Sequence, residues 1–379
     1  MKKYLIICFA LAAVILLSSC STGRLYISDI NGISSNDNML SGSANDMRPG
    51  IYSYTADGRY IYNEYYRIDI LENRISVNCD KPLCNHDTTE CDGEFFQEHV
   101  IVRAYEGGFY YTDGNILYYK KGDDIEKIYE NNFVSDFEKD YEWTDTLGHF
   151  GAIPTDDGII CVGLNYFFKI SYDGELLRDP VVAAEDERCS FFAIDKDTLL
   201  GDAYTFDHVD YMFVADLNDG TVTKIKDGAD PNWYADNKIY YTTGNFLSSD
   251  IFTCDMDGEN EKMILSGVSL RTMIEKTIYF CTASDRSVIY KYDTETGETA
   301  EVLNLPELAR EQQNSGQPID TITDLFGSTV SNITYFPNIE KILIGTYNAD
   351  QRINFFISDK SGEEFVQISK PDKGKITVV

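Results

Sequence analysis

An all-β chain built from a repeated four-stranded unit is what the 379 residues predict, on three observations. The 27 Tyr and 21 Phe cluster with β-branched neighbours in short runs, a composition that suits a pleated, half-buried surface. Turn signals of the type Asp-Gly, Asn-Asp-Gly and Thr-Gly recur between those runs, while apolar residues at helical spacing are scarce. Finally, strong apolar triplets return at a spacing close to 40 residues.

The clearest copy of the unit runs from Trp233 to Leu265. Trp233-Tyr234 and Ile239-Tyr240-Tyr241 flank Asp236-Asn237, and Ile251-Phe252-Thr253-Cys254 precedes Asp257-Gly258 and Met263-Ile264-Leu265. Asn, Asp and Gly tolerate the positive φ of tight turns, so the stretch reads as an antiparallel meander. One meander cannot cover both of its own faces and needs neighbours of its kind.

Taken from the start, Lys2 and Lys3 precede an unbroken apolar run from Leu5 to Leu17. That run is shorter than the roughly 20 residues a membrane-spanning helix needs, so residues 1–19 are expected to be a signal peptide. Residues 20–48 follow as a lipidated N-terminus and flexible tether, rich in Ser, Asn, Gly and Asp, within which Leu25-Tyr26-Ile27 could add a strand to the body. Residues 49–379 form the repeat domain. Its units are marked by Tyr60-Ile61-Tyr62, Phe109-Tyr110-Tyr111, Ile159-Ile160-Cys161, Leu199-Leu200, Ile239-Tyr240-Tyr241, Ile278-Tyr279-Phe280 and Ile342-Leu343-Ile344. Their starts differ by 49, 50, 40, 40, 39 and 64 residues. A period near 40 with four strands per unit predicts a β-propeller of about seven four-stranded blades, with two stacked sheets as the competing arrangement. The longer spacings hold insertions: a cysteine cluster, a charged stretch from Phe133 to His149, and a segment from Pro306 that begins as a short helix to Asn314.

Leu17-Ser18-Ser19-Cys20 resembles the lipobox of bacterial lipoproteins. The resemblance implies acylation of Cys20 and a membrane-anchored protein on the extracytoplasmic face. Pro231-Asn232-Trp233 with Asp236, Asn237 and Lys238 resembles the TolB-type propeller repeat, and Asp255 to Leu265 also resembles the propellers of low-density-lipoprotein receptors. Cys79-Asp-Lys-Pro-Leu-Cys84-Asn-His86 resembles an element in the first blade of Gram-positive lipoprotein propellers of uncharacterised function, a likeness that implies no activity.

Cys79, Cys84, His86 and Cys91 are the one dense group of soft ligands. Three thiols and an imidazole could close a tetrahedral structural zinc site, yet a disulfide among the three cysteines competes with it on an outward-facing protein. Disulfide, metal and reduced thiols all stay open. Cys161, Cys189, Cys254 and Cys281 fall in strand-like runs and read as buried hydrophobes, with a Cys254–Cys281 bridge as an alternative. Asp255-Met256-Asp257-Gly258-Glu259 lacks the glycine and glutamate that a calcium-binding EF-hand loop requires later on, and reads as a hairpin turn.

For catalysis the inventory is thin. Four histidines, His86, His99, His149 and His208, stand without a nucleophile elbow or a zinc-protease pair. A formal charge of −31 argues against nucleic acid or anionic lipid headgroups as direct partners. The expected role is therefore binding of a protein, peptide or glycan by a monomer, with Trp143, His149 and Trp233 as candidate contacts and 133–149 and 306–335 as candidate loops. No catalytic residue can be chosen, and the rival is a glycan hydrolase or lyase using acidic residues at a channel mouth.

Overall fold

A computed structural model describes residues 26–27, 45–46, 55–62, 66–77, 100–140, 150–205, 208–245, 248–314, 328–336, 339–347 and 353–368. Among them the chain is an all-β propeller of antiparallel meanders. The first blade holds β3 (Thr55–Asp57), β4 (Tyr60–Tyr62), β5 (Tyr66–Asp69) and β6 (Arg74–Val77). The second holds β7 (Val100–Tyr105), β8 (Gly108–Asp113), β9 (Ile116–Lys121) and β10 (Asp124–Glu130). The third holds β11 (Gly151–Thr155), β12 (Gly158–Val162), β13 (Tyr166–Ile170) and β14 (Leu176–Val182). The fourth holds β15 (Arg188–Ala193), β16 (Thr198–Thr205), β17 (His208–Asp216) and β18 (Val222–Asp227).

A seven-stranded sheet follows, made of β19 (Asp230–Ala235), β20 (Lys238–Asn245), β21 (Ser248–Asp255), β22 (Lys262–Ile274), β23 (Thr277–Thr282), β24 (Val288–Asp293) and β25 (Thr299–Asn304). The last blade has β26 (Thr329–Phe336), β27 (Lys341–Tyr347), β28 (Ile353–Asp359) and β29 (Val366–Gln367). The structure thus has five separate four-stranded blades where seven were expected. The difference lies in β22. At 13 residues it pairs with β21 along its first half and β23 along its second, and Val268 belongs to both registers. Only Ser266-Gly267 separates the two halves, too little chain to break the ladder. Tyr26–Ile27 (β1), expected to be able to join the body, pairs with Asn45–Asp46 (β2) and lies beside β15.

The first strands of the first three blades approach one another (β3 with β7, β7 with β11), the central strand β22 of the seven-stranded sheet approaches β26, and these strands form the inner wall. Every apolar triplet that marks a unit in the sequence lies on the strand next outward: β4, β8, β12, β16, β20, β23 and β27. The physical reason is double coverage. This strand has a neighbour on each edge and a sheet against each face, so it reads as a continuous apolar run, as in β12, where all five residues are buried. The outermost strand β10 is largely exposed, and its pairing with β9 shifts register between Lys127 and Tyr129, a bulge that discourages edge-to-edge association.

Apolar clusters lie between neighbouring sheets. Phe167, Phe191 and Phe213 join the third and fourth blades, and Met212, Tyr241 and Cys254 join the fourth to the seven-stranded sheet. Ala56, Ile61 and Ile68 of the first blade meet Phe336, Leu343, Phe355 and Ile357 of the last, which closes the ring. Each fully buried side chain of this size contributes about 1.5–3 kcal/mol. The outer hairpin turns have a common design. Asp293 accepts from the amides of Glu295 and Thr296, and Asp359 and Asp69 serve their own turns in the same way. The glycines of these turns also set the blade spacing. Gly174, at φ +81°, lies so close to the Ile128 carbonyl of the preceding blade that a Cβ would fall 1.9 Å from its oxygen.

Candidate functional site

Strands alternate in direction within each meander, so the turns sort onto two faces of the ring. Turns between first and second strands and between third and fourth strands share one face, and all are short: 58–59, 106–107, 156–157, 236–237 and 275–276 are examples. The other face carries the turns between second and third strands and the connections from sheet to sheet. All three long connections, 78–99, 131–150 and 305–328, leave from that second face. The sequence offered these insertions as unrelated interruptions, and the topology brings their ends to one side.

The described roots of these insertions are firmly held. Asn131 donates from Nδ2 to the Tyr166 hydroxyl at 2.7 Å and to the Phe133 carbonyl at 3.2 Å, and its Oδ1 accepts from the Phe133 amide at 3.1 Å. The Phe133 ring meets Tyr166 edge-on at 4.9 Å. Ser135 then caps a short helix, α1 (Asp136–Asp140), by accepting from the Glu138 amide, and the Glu138 carboxylate accepts from the Ser135 amide. This reciprocal capping box was legible as Ser-x-x-Glu in a stretch expected to be loop. At the third insertion, α2 (Leu305–Asn314) begins with Asn304 Oδ1 accepting from the Glu307 amide, and it buries Leu305 and Ala309 against the last blade.

Electrostatics differ between the faces. On the short-turn face basic side chains tie strands and blades together. Lys169 reaches Asp157 at 2.8 Å and the Lys196 carbonyl at 2.9 Å, Lys276 reaches Asp236 and Glu295, and Lys360 reaches Glu275 and Glu340. Burial would raise the Asp157 carboxyl, but hydrogen bonds from Lys169 and Thr155 outweigh it and hold the group below the usual range. On the loop face, Lys139–Asp136 and Lys127–Glu130 are local pairs three residues apart. There, at the entry to inner strand β15, lies a carboxylate whose affinity for its proton is raised. Burial lifts the Glu187 carboxyl, and the charge of Asp210 lifts it further, against a hydrogen bond from Tyr211. Asp210 accepts from Thr205 Oγ1 at 3.0 Å, and the Lys224 ammonium lies 4.5 Å from the Tyr211 ring centre. A group of this kind can donate a hydrogen bond at a pH where an ordinary carboxylate only accepts.

The residues proposed from sequence are distributed unevenly. Cys20, Cys79, Cys84, His86, Cys91, Trp143 and His149 lie outside the described residues. Trp233 is 3% exposed and packs among Ala235, Tyr240, Ile251 and Met273, so its indole faces are covered by the core. Cys161, Cys189, Cys254 and Cys281 are buried free thiols. The alternative Cys254–Cys281 bridge is not formed, because Cys254 faces the fourth blade and Cys281 faces the last. Asp257-Gly258 is a turn, with Gly258 at φ +85°. No group of three His, Cys, Asp or Glu suited to a metal occurs among the described residues. No described helix is long and apolar enough to cross a membrane. Glu187 and Asp210 were missed, since nothing in the local sequence signals that β17 will bring them together.

No protein-family model matches the chain, and no curated protein matches it. Among solved structures the chain is similar to the β-propeller domain of the trilobed protease from Pyrococcus furiosus, at 12% identity and a TM-score of 0.48, over 85% of this chain and 99% of that one. It is similar to an oligogalacturonate lyase in complex with manganese, at 11% identity and a TM-score of 0.47, over 72% and 76% of the two chains. It is also similar to a TolB-type protein from Agrobacterium tumefaciens, at 10% identity and a TM-score of 0.37, over 65% and 84%. These are likenesses of outline, and the propeller architecture rests on the sheets described above.

Proposed function

We propose that the chain is a lipid-anchored, extracytoplasmic propeller that binds a protein, peptide or glycan on its loop face without transforming it. One observation carries this reading: the three long insertions leave one face of a ring whose other face is closed by short, ion-paired turns. A rigid ring that presents loops from fixed roots loses little ordering entropy on binding. The anchor reading is supported by Leu17-Ser18-Ser19-Cys20 after a 13-residue apolar run. We also read the seven-stranded sheet as two fused blades, giving seven in all. Trp233 and Ile251 pack against Met273, Ile278 and Phe280 of the same sheet, just as residues of separate blades pack elsewhere.

Glu187 beside Asp210 supports a second reading, acid-assisted cleavage of a glycan, in which Glu187 would supply the proton. A glycan and peptide array separates the two. Probed with the mature protein, it should retain a ligand unchanged in mass, and replacing residues 141–149 by a Gly-Ser linker should abolish retention. Cleavage products that disappear with Glu187→Gln would establish the enzyme instead. Zinc at one equivalent in protein purified without chelator would assign Cys79, Cys84, His86 and Cys91 as its ligands. Acyl labelling lost in Cys20→Ala would establish the anchor.

A further inference from the structure

We propose that the inner edge of β15 is a strand-addition site, and that its resident occupant is the chain's own N-terminal segment at Tyr26–Ile27 (β1). The backbone of β1 lies alongside β15, far from it in sequence. β15 has two faces and two edges, and three of these four sides are taken. Cys189, Phe191 and Ala193 pack into the cluster shared with the third blade, Phe192 packs against the seven-stranded sheet, and β16 pairs along one edge. The edge toward the ring axis is the side left for β1. β1 in turn pairs along one of its own edges with β2, Tyr26 with Asp46 and Ile27 with Asn45, which leaves its other edge for β15.

The inner edge of β15 has the chemistry that an extended segment recognises. Backbone N–H and C=O groups alternate in direction along a strand. Ile194 donates to the Thr198 carbonyl of β16 at 2.9 Å, whereas Cys189 donates away from β16, to the Leu164 carbonyl at 2.8 Å. Residues in step with Cys189 therefore turn their backbone groups to the axis, and the next two are Phe191 and Ala193. A neighbouring strand pairs with such groups through its own backbone, with little demand on side chains. A chain terminus is also tied down when its strand joins a sheet. The contact is thus self-occupying. An extended peptide seeking this edge must displace a segment that its covalent link holds at an effective concentration of about 1 mM. The site goes beyond the loop-face reading, since it lies on an inner strand edge and uses none of the three insertions.

Photo-crosslinking in the mature protein tests the proposal. Benzoylphenylalanine in place of Ser28, next to β1, should couple within one chain to peptides spanning 188–194. Tyr26→Pro combined with Ile27→Pro removes both amide donors of β1 and should lower that yield about fivefold or more. Tyr26→Ala combined with Ile27→Ala keeps the backbone donors and should hold the yield within about twofold. A synthetic peptide of residues 21–30, at about 5 mM, should compete and lower the yield about twofold or more. All these substitutions precede β3, so the six sheets of the ring keep their sequence. Crosslinks that fall elsewhere, that join two chains, or that are indifferent to the peptide would overturn the proposal. So would equal yields from the proline and alanine pairs.

Discussion

The two faces of the ring are built on opposite principles. On one, the chain reverses within two to six residues, and the reversals are fixed by carboxylates that accept from turn amides, by lysines that bridge strands, and by glycines pressed against the preceding blade. On the other, the long connections 131–150 and 305–328 leave from capped and packed roots. The contrast shows where this sequence spends its constraint. Closure of the ring is enforced at the short-turn face, which frees the opposite face to carry insertions without loss of the fold.

Substitutions can break that contrast, and the largest effect belongs to the short-turn face. Gly174→Ala sets a Cβ against the Ile128 carbonyl at positive φ, and it should cost about 3 kcal/mol in denaturant unfolding while leaving ligand affinity per folded molecule unchanged. Gly228→Ala, on the loop face at φ +64° with open space around it, should cost only about 1 kcal/mol. Equal losses from the two would show that blade spacing does not depend on Gly174. Removing the cap at the root of the second insertion with Ser135→Ala should cost about 1 kcal/mol and weaken ligand binding, since the root orients the loop.

The mildest effect is a pH dependence of opposite sign at Glu187 on the loop face and at Asp69 and Asp157 on the short-turn face. Asp69 is held low by its hydrogen bond from Arg59, and Asp157 is held low by Lys169 and Thr155 against its burial. Their contribution is present above the unfolded carboxylate value and is lost as pH falls through the depressed folded values. Glu187 is raised by burial and by Asp210, so its contribution is full below the unfolded value of about 4.3 and is lost as pH rises through the folded one. Glu187→Gln should flatten the decline in melting temperature above about pH 4.5 and leave the acid limb in place. A variant with an unchanged profile would show that Glu187 is solvated like any surface acid.

Much of the ring was legible because its signals are local. The apolar triplets mark doubly covered strands, and Asp236 and Asn237 adopt the positive φ values, 51° and 59°, that their residue types suggest. The helix at Leu305–Asn314 follows from its turn and cap chemistry. What escaped depends on partners distant in sequence. Whether Ser266-Gly267 ends a strand is decided by β21 and β23 pairing on either side of β22. An exposed indole and a buried one look alike in sequence, and Trp233 is covered by residues from β21, β22 and β23. The raised proton affinity of Glu187 comes first from burial and then from the charge of Asp210, which β17 supplies from the far side of a hairpin.

Masking one face at a time tests most directly whether the loop face is the binding face. An azido residue placed at Asp186 on the loop face, or at Asp257 on the short-turn face, can be coupled to polyethylene glycol and each product applied to the same array. The account predicts that the Asp186 conjugate loses the ligand retained by unmodified protein and that the Asp257 conjugate keeps it. Loss from the Asp257 conjugate alone, or retention by both, would contradict it.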